Sequence, residues 1–123
     1  MANILILDDE ADAVILLQKV LRKQGHVVHG FTEEEAALQF ALTHPIDLAI
    51  LDIKLKKLNG LRVLEELRAS VPDLSVMMLT GYPTIETAKE AVKLGVGQYC
   101  VKPIEISELE DKVAKLIAAR AKR

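Results

Sequence analysis

Short apolar runs alternate with amphipathic stretches along the whole chain. Five runs read as strands: Ile4–Leu7, His26–His29, Leu48–Leu51, Leu74–Leu79 and Gln98–Val101. The first, third and fourth are nearly continuous in apolar residues, as strands buried on both faces of a parallel sheet are. The stretches between them repeat at helical spacing. Val14, Leu17 and Leu21 share one stripe, Ala37, Phe40 and Ala41 a second, and Leu61, Leu64 and Leu67 a third. Ala88, Ala91 and Val92 make the fourth, and Leu109, Val113, Leu116 and Ile117 the fifth.

Boundary signals agree with this division. Thr32 with Glu35, and Ser107 with Glu110, have the spacing of capping boxes, which predicts helix starts there. The second helix should stop before His44-Pro45, because a proline disfavours helical backbone in the residue before it. The third follows the Asn59-Gly60 turn. The fourth is expected to open at Pro83, whose missing N–H is harmless in a first turn, and to stop at Gly95. The fifth ends on Arg120, Lys122 and Arg123, cations suited to a helix C-terminus.

Five strand-helix units imply an α/β fold, with helices on both faces of a parallel sheet. The second run is the most polar and the fifth is short and follows two glycines, so both fit edges. The predicted order is 2-1-3-4-5, a flavodoxin-like, doubly wound five-stranded sheet. The first and third strands then flank the point where the order reverses. Ligand sites in open α/β sheets form there, beyond the carboxyl ends of the strands.

Those ends carry the chemistry. Asp8 and Asp9 follow the first run, Asp52 the third, Thr80 ends the fourth, and Lys102-Pro103 follow the fifth. Asp52 to Thr80 is 28 positions and Thr80 to Lys102 is 22, each room for one crossover with its helix. Three gathered carboxylates repel one another unless a cation compensates. A hard divalent ion such as Mg2+ fits oxygen ligands and leaves room for phosphate oxygens. Lys102 adds a positive point charge and Thr80 a hydroxyl. Together they suit phosphoryl transfer, with a carboxylate as nucleophile. Asp52 ends the central strand, between the acidic pair and the Thr80/Lys102 side, so it is the expected nucleophile.

Composition narrows the class. The chain has 123 residues, half of them hydrophobic, which supports one domain over residues 1–123 with its own core. A net charge of −2 makes no electrostatic case for direct nucleic-acid binding or for an anionic membrane surface. No apolar run approaches the roughly 20 residues of a membrane span, and the chain reads as cytoplasmic. The single cysteine, Cys100, lies in a strand run and reads as a small buried hydrophobe. His26, His29 and His44 are scattered and read as surface residues.

The ordered set Asp8-Asp9, Asp52, Thr80-Gly81 and Lys102-Pro103 resembles the receiver domain of two-component response regulators, over essentially the whole chain. The resemblance implies that Asp52 accepts phosphate from a sensor histidine kinase or phosphotransfer protein. It implies that Asp9, Asp52 and the main-chain carbonyl of Ile53 ligate Mg2+, with Asp8 acting largely through water. Lys102 and Thr80 would bind phosphoryl oxygens. Tyr99 matches an aromatic switch position, and the Lys102–Pro103 bond one that is usually cis. Lys54 and Tyr82 match two variable positions that tune phosphoryl lifetime. Lys56 stands where the family commonly has proline. The implied readout is a face of the fourth helix, fifth strand and fifth helix, used for a downstream protein, a fused output domain or a homodimer. A receiver is not an enzyme beyond its own phosphorylation and dephosphorylation. No output domain is expected within these residues.

Other readings explain less. Taken singly, Thr80 reads as a helix cap, Lys102 as a solvated strand end and Tyr99 as an edge-strand aromatic. An aspartyl-phosphate phosphatase of the haloacid dehalogenase class wants Asp-x-Asp after its first strand, and here the acids are adjacent. A phosphorylation-independent interaction module would usually lack an acid or the lysine, and none is missing. Gly95-Val96-Gly97 precedes a strand and reads as a helix stop, not a phosphate loop.

Overall fold

The five expected strands all form, and all pair in parallel. The computed structural model describes residues 2–53, 55 and 59–121. In chain order the elements are β1 (Asn3–Leu7), α1 (Ala11–Lys23), β2 (Val27–Phe31), α2 (Glu34–Thr43) and β3 (Leu48–Leu51). They continue as α3 (Gly60–Ser70), β4 (Ser75–Thr80), α4 (Ile85–Lys93), β5 (Gln98–Val101) and α5 (Ile106–Ala121). The sheet order is β2-β1-β3-β4-β5, as the polarity of the runs predicts. Lys54, Lys56, Lys122 and Arg123 lie outside the described residues.

Alternation along each strand divides the core in two. Leu5, Leu7, Ala49, Leu51, Val76 and Met78 point to one side, where Ala37 and Ala41 of α2, Val63, Leu64 and Leu67 of α3, and Ala91 of α4 cover them. Ile4, Ile6, Leu48, Ile50, Met77, Leu79 and Cys100 point to the other, against Val14, Leu17 and Leu21 of α1 and Leu109 and Val113 of α5. All four residues of β3 and all six of β4 are buried, which is why β3 is wholly apolar and β4 is apolar from Val76 to Leu79. Fully burying one such leucine contributes about 1.5–3 kcal/mol. Burial pushes the Cys100 thiol above its ordinary pKa, consistent with a packing residue.

Helix starts differ from expectation in three places. β2 stays extended to Phe31, paired with Leu7, and the Asp8 N–H donates to the Phe31 carbonyl. The chain cannot turn until Glu33, so α2 starts at Glu34 without the Thr32–Glu35 box. α4 starts at Ile85, two residues past Pro83, because Thr84 and Thr87 form a reciprocal capping box through their hydroxyls. α5 starts at Ile106: the Glu105 carbonyl accepts from the Leu109 N–H, which puts Ser107 inside the first turn. The predicted stop at Gly95 holds. Gly95 has a φ of 76°, and the Gly95 and Val96 N–H groups donate back to the Val92 and Ala91 carbonyls. Arg68 of α3 donates to the Leu94 and Gly95 carbonyls at the same helix end, each at 2.8 Å, and also to the Leu74 carbonyl.

Candidate functional site

Register brings the strand ends together. Leu7 pairs with Leu51, so Asp8 and Asp52, one residue beyond, lie side by side. The Asp52 N–H donates to the Leu7 carbonyl at 3.0 Å, one bond past the regular pairing. On the other side Thr80 pairs with Val101, and the Lys102 N–H donates to the Thr80 carbonyl at 2.8 Å. The peptide bond from Lys102 to Pro103 is cis.

Asp8 and Asp52 are buried, 3% and 5% exposed, and both are satisfied. Asp8 Oδ1 accepts the Glu10 N–H at 3.0 Å, and Asp52 Oδ1 accepts the Ile53 N–H at 2.7 Å. Their Oδ2 atoms share the Lys102 ammonium, at 2.5 Å from Asp8 and 3.2 Å from Asp52. Lys102 therefore reaches from β5 past β4 to β3 and β1. Burial works to lower its pKa. The hydrogen bond and charge of Asp8, with those of Asp52, outweigh burial and hold the ammonium above its ordinary value. Buried carboxylates are tolerated where a cation and hydrogen bonds compensate them, as here.

Asp9 is half-buried and lines a cleft of about 470 Å³ with Glu10, Asp52, Gly81, Tyr82 and Lys102. Asp8, Asp9 and Asp52 each offer a carboxylate oxygen, and these atoms lie within 4.8 Å of one another. An all-oxygen donor set of this charge fits a hard cation such as Mg2+. The Ile53 carbonyl accepts the Gly60 N–H at 2.6 Å, which leaves it a second lone pair.

The structure thus gathers Asp8, Asp9, Asp52 and Lys102, and holds Thr80 apart from them. Thr80 is fully buried, and its Oγ1 accepts the Tyr82 N–H at 3.0 Å instead of lining the cleft. Tyr82 stands at the rim, 56% exposed. Tyr99 is half-buried on β5, and its hydroxyl lies 3.0 Å from Thr87 Oγ1 of α4.

Two contributors were not read from the sequence as part of the site. Glu10 lines the cleft beside the acidic pair. Gly60 lies against the backbone of the site: a β-carbon there would sit 1.9 Å from the Asp52 carbonyl oxygen. The Asn59-Gly60 pair signalled a turn, but not that only a glycine leaves room for Asp52.

Residues 4–114 match the response regulator receiver domain family. The chain belongs to this family. The receiver is 31% identical to the transcriptional regulatory protein ZraR of Escherichia coli (strain K12) over 116 residues, 94% of this chain and 26% of ZraR. It is 35% identical to the photosynthetic apparatus regulatory protein RegA of Cereibacter sphaeroides over 107 residues, 87% of this chain and 58% of RegA. The receiver therefore spans about a quarter of ZraR and somewhat over half of RegA. Its fold superposes on the CheY-like receiver domain protein of Methanospirillum hungatei JF-1 with a TM-score of 0.97 at 25% identity, over 99% of this chain and 98% of that one. It is also similar to the response regulator TrrA of Thermotoga maritima, solved in complex with Mg(2+)-BeF. There the TM-score is 0.85 at 32% identity, over 94% of this chain and 99% of TrrA. The receiver is that of a two-component response regulator. No helix among its described residues is long and apolar enough to cross a membrane.

Proposed function

We propose that Asp52 is the phosphoacceptor, taking its phosphoryl group from the phosphohistidine of a sensor histidine kinase or phosphotransfer protein. The observation that carries this is the meeting of Asp52 with Lys102 and two further carboxylates around one open cleft. A carboxylate oxygen of Asp52 forms the bond to phosphorus. The phosphorus–nitrogen bond breaks, and its electron pair stays on the ring nitrogen of the leaving imidazole. Attack of water on the acyl phosphate later releases inorganic phosphate and restores the carboxylate.

Asp9, Asp52 and the Ile53 carbonyl are the proposed direct ligands of Mg2+. Asp8 is held deeper by Lys102 and the Glu10 N–H, which supports a contact through water. When bound, the ion neutralises phosphoryl oxygens and lowers the repulsion among the carboxylates. That TrrA was solved with Mg(2+)-BeF supports the choice of ion. Lys102 binds phosphoryl oxygens as a point charge. Thr80 Oγ1 accepts the Tyr82 N–H and keeps its own hydrogen to donate to one of them, and space left by a shift of Thr80 toward the phosphoryl group admits Tyr99. Tyr82, at the rim, hinders the attacking water and lengthens the phosphoryl lifetime. Lys54 is the second proposed lifetime residue.

The proposed readout face comprises α4, β5 and α5. Ile85, Val92, Val101 and Ile106 are exposed apolar residues on or beside these elements, a composition suited to a partner protein or a second receiver. The longer relatives are named as regulators, which supports an output domain or downstream protein as the recipient. The test is incubation with acetyl phosphate and Mg2+, followed by intact mass. The wild type gains one phosphoryl group, and Asp52→Asn and a chelated sample gain none. Equal labelling of Asp52→Asn overturns the assignment.

A further inference from the structure

Glu10 places a further carboxylate at the wall of the cleft. Its backbone is fixed on both sides. The N–H donates to Asp8 Oδ1 at 3.0 Å, and the carbonyl accepts the Ala13 and Val14 N–H groups as α1 begins. The side chain is not used to hold the helix. Glu10 is the N-cap residue of α1, yet it makes no side-chain capping bond, and it is exposed. None of the ion pairs among the described residues involves it. Its carboxylate therefore stands hydrated beside Asp9, Asp52, Tyr82 and Lys102, which line the same cleft.

The charge of Glu10 tips a balance. Asp8, Asp9 and Asp52 bring three carboxylates, opposed by the Lys102 ammonium. With Mg2+ bound this set is neutral, and Glu10 leaves one negative charge at the mouth. A free donor such as acetyl phosphate is dianionic and brings no cation of its own, so it meets this charge unshielded. Exposed charges several ångströms apart still interact at low ionic strength, because the Debye length there exceeds about 10 Å. A doubly charged group facing one such charge gains or loses a factor of a few in its equilibrium or rate constant.

We propose that Glu10 is a specificity-determining residue for the phosphodonor. Its charge disfavours free dianionic donors relative to donors that carry a cation beside the phosphoryl group, and it raises the affinity of the cleft for Mg2+. A protein donor meets this requirement with a lysine or arginine next to its phosphohistidine, which pairs with Glu10 in the complex. The donor preference rests on the proposed phosphorylation of Asp52. The effect on Mg2+ does not.

Acetyl phosphate and phosphoramidate differ in this respect and give the same product. In each case a carboxylate oxygen of Asp52 forms the bond to phosphorus. The phosphorus–oxygen bond of acetyl phosphate breaks with its electron pair leaving on acetate. The phosphorus–nitrogen bond of phosphoramidate breaks with its pair leaving on ammonia. Phosphoramidate carries a protonated amine on its phosphorus and is a monoanion, so it meets Glu10 with half the net charge.

The test follows labelling by intact mass at saturating Mg2+ and low ionic strength. Glu10→Gln speeds labelling by acetyl phosphate about fourfold and by phosphoramidate at most about twofold. Glu10→Asp restores the charge and reverses most of the acceleration. Salt at about 0.5 M, where the Debye length is about 4 Å, removes most of the difference between the variants. Calorimetric titration of the unlabelled protein with Mg2+ gives a Kd about fourfold weaker in Glu10→Gln. Equal acceleration with both donors, or none with acetyl phosphate, overturns the donor preference. An unchanged Kd for Mg2+ overturns the contribution to the ion. A wild type that takes no phosphoryl group from either donor fails the preceding assignment and the donor preference with it, while the Mg2+ titration still decides whether Glu10 belongs to the charge set of the cleft.

Discussion

The carbonyl oxygen of Asp52 occupies the space that a side chain on Gly60 would need. The separation from an added β-carbon is 1.9 Å, and the neighbouring atoms are backbone, which cannot swing aside. The first residue of α3 and the proposed phosphoacceptor are therefore packed as one unit, joined by the 2.6 Å bond from the Gly60 N–H to the Ile53 carbonyl.

Gly60→Ala sets two effects against each other. Alanine favours the helix by up to about 1 kcal/mol over glycine. Forcing an atom into packed backbone costs about 1–3 kcal/mol. The overlap is severe, so a net loss is expected, seen as a lower urea midpoint and slower labelling by acetyl phosphate. A stability equal to wild type with normal labelling rejects the packing argument.

Lys102→Met leaves the Asp8 and Asp52 carboxylates without their cation. The lysine side chain is 26% exposed, so the loss is smaller than for a fully buried pair, about 1–3 kcal/mol in the absence of Mg2+. Adding Mg2+ recovers part of it, because a divalent ion now compensates the carboxylates alone. Thermal unfolding with and without Mg2+ measures both. Mg2+ stabilising the variant less than wild type contradicts the charge balance described for this cleft.

His29 gives a pH dependence on the acid side. Burial, then the charges of His44 and Arg22, lower its pKa in the folded protein. Its ring also packs against Phe40, centroid to centroid 4.5 Å, and Phe40 stacks on His44. Below the unfolded pKa of about 6.5 the unfolded chain binds the proton more readily, so stability falls as pH falls. Above that pH the contribution is complete. His29→Gln should flatten the decline in urea midpoint between about pH 7 and about pH 5. An equally steep decline in the variant assigns the effect elsewhere.

Tyr82→Ala opens the rim of the cleft to water. Phosphoryl loss after removal of the donor, followed by intact mass, should be faster than in wild type. An unchanged rate removes Tyr82 from the control of lifetime.

Arg68→Met tests the far end of α4. Its guanidinium bonds the Leu94 and Gly95 carbonyls just past α4 and the Leu74 carbonyl before β4, at the end of the sheet opposite the acidic cleft. A loss of about 2 kcal/mol is expected from the stranded acceptors, with labelling of Asp52 retained. Loss of labelling in a folded variant means that this end communicates with the site.

Much of this molecule was legible before folding. Nearly continuous apolar runs at Leu48–Leu51 and Leu74–Leu79 marked central strands, because a strand covered on both faces has no polar side to show. The polar second run marked an edge. Acids and a lysine beyond those runs marked a site, because a strand order with a reversal brings their ends together. Local pattern decided less at the helix starts. Thr32–Glu35 has the spacing of a capping box, yet the pairing of Phe31 with Leu7 kept the chain extended past it.

Residue order alone determined which elements form, their sheet order and which side chains stand at the strand ends. These follow from periodicity and polarity, which are local properties of the chain. Tertiary structure alone decided that Lys102 bridges Asp8 and Asp52, that Thr80 turns to the Tyr82 N–H, that Gly60 must lack a side chain and that the Tyr99 hydroxyl meets Thr87 Oγ1. Each depends on distances of a few ångströms, and the Lys102 bridge spans elements 94 and 50 residues apart in sequence. Such distances are set by how the layers pack, and no pattern along one chain encodes them.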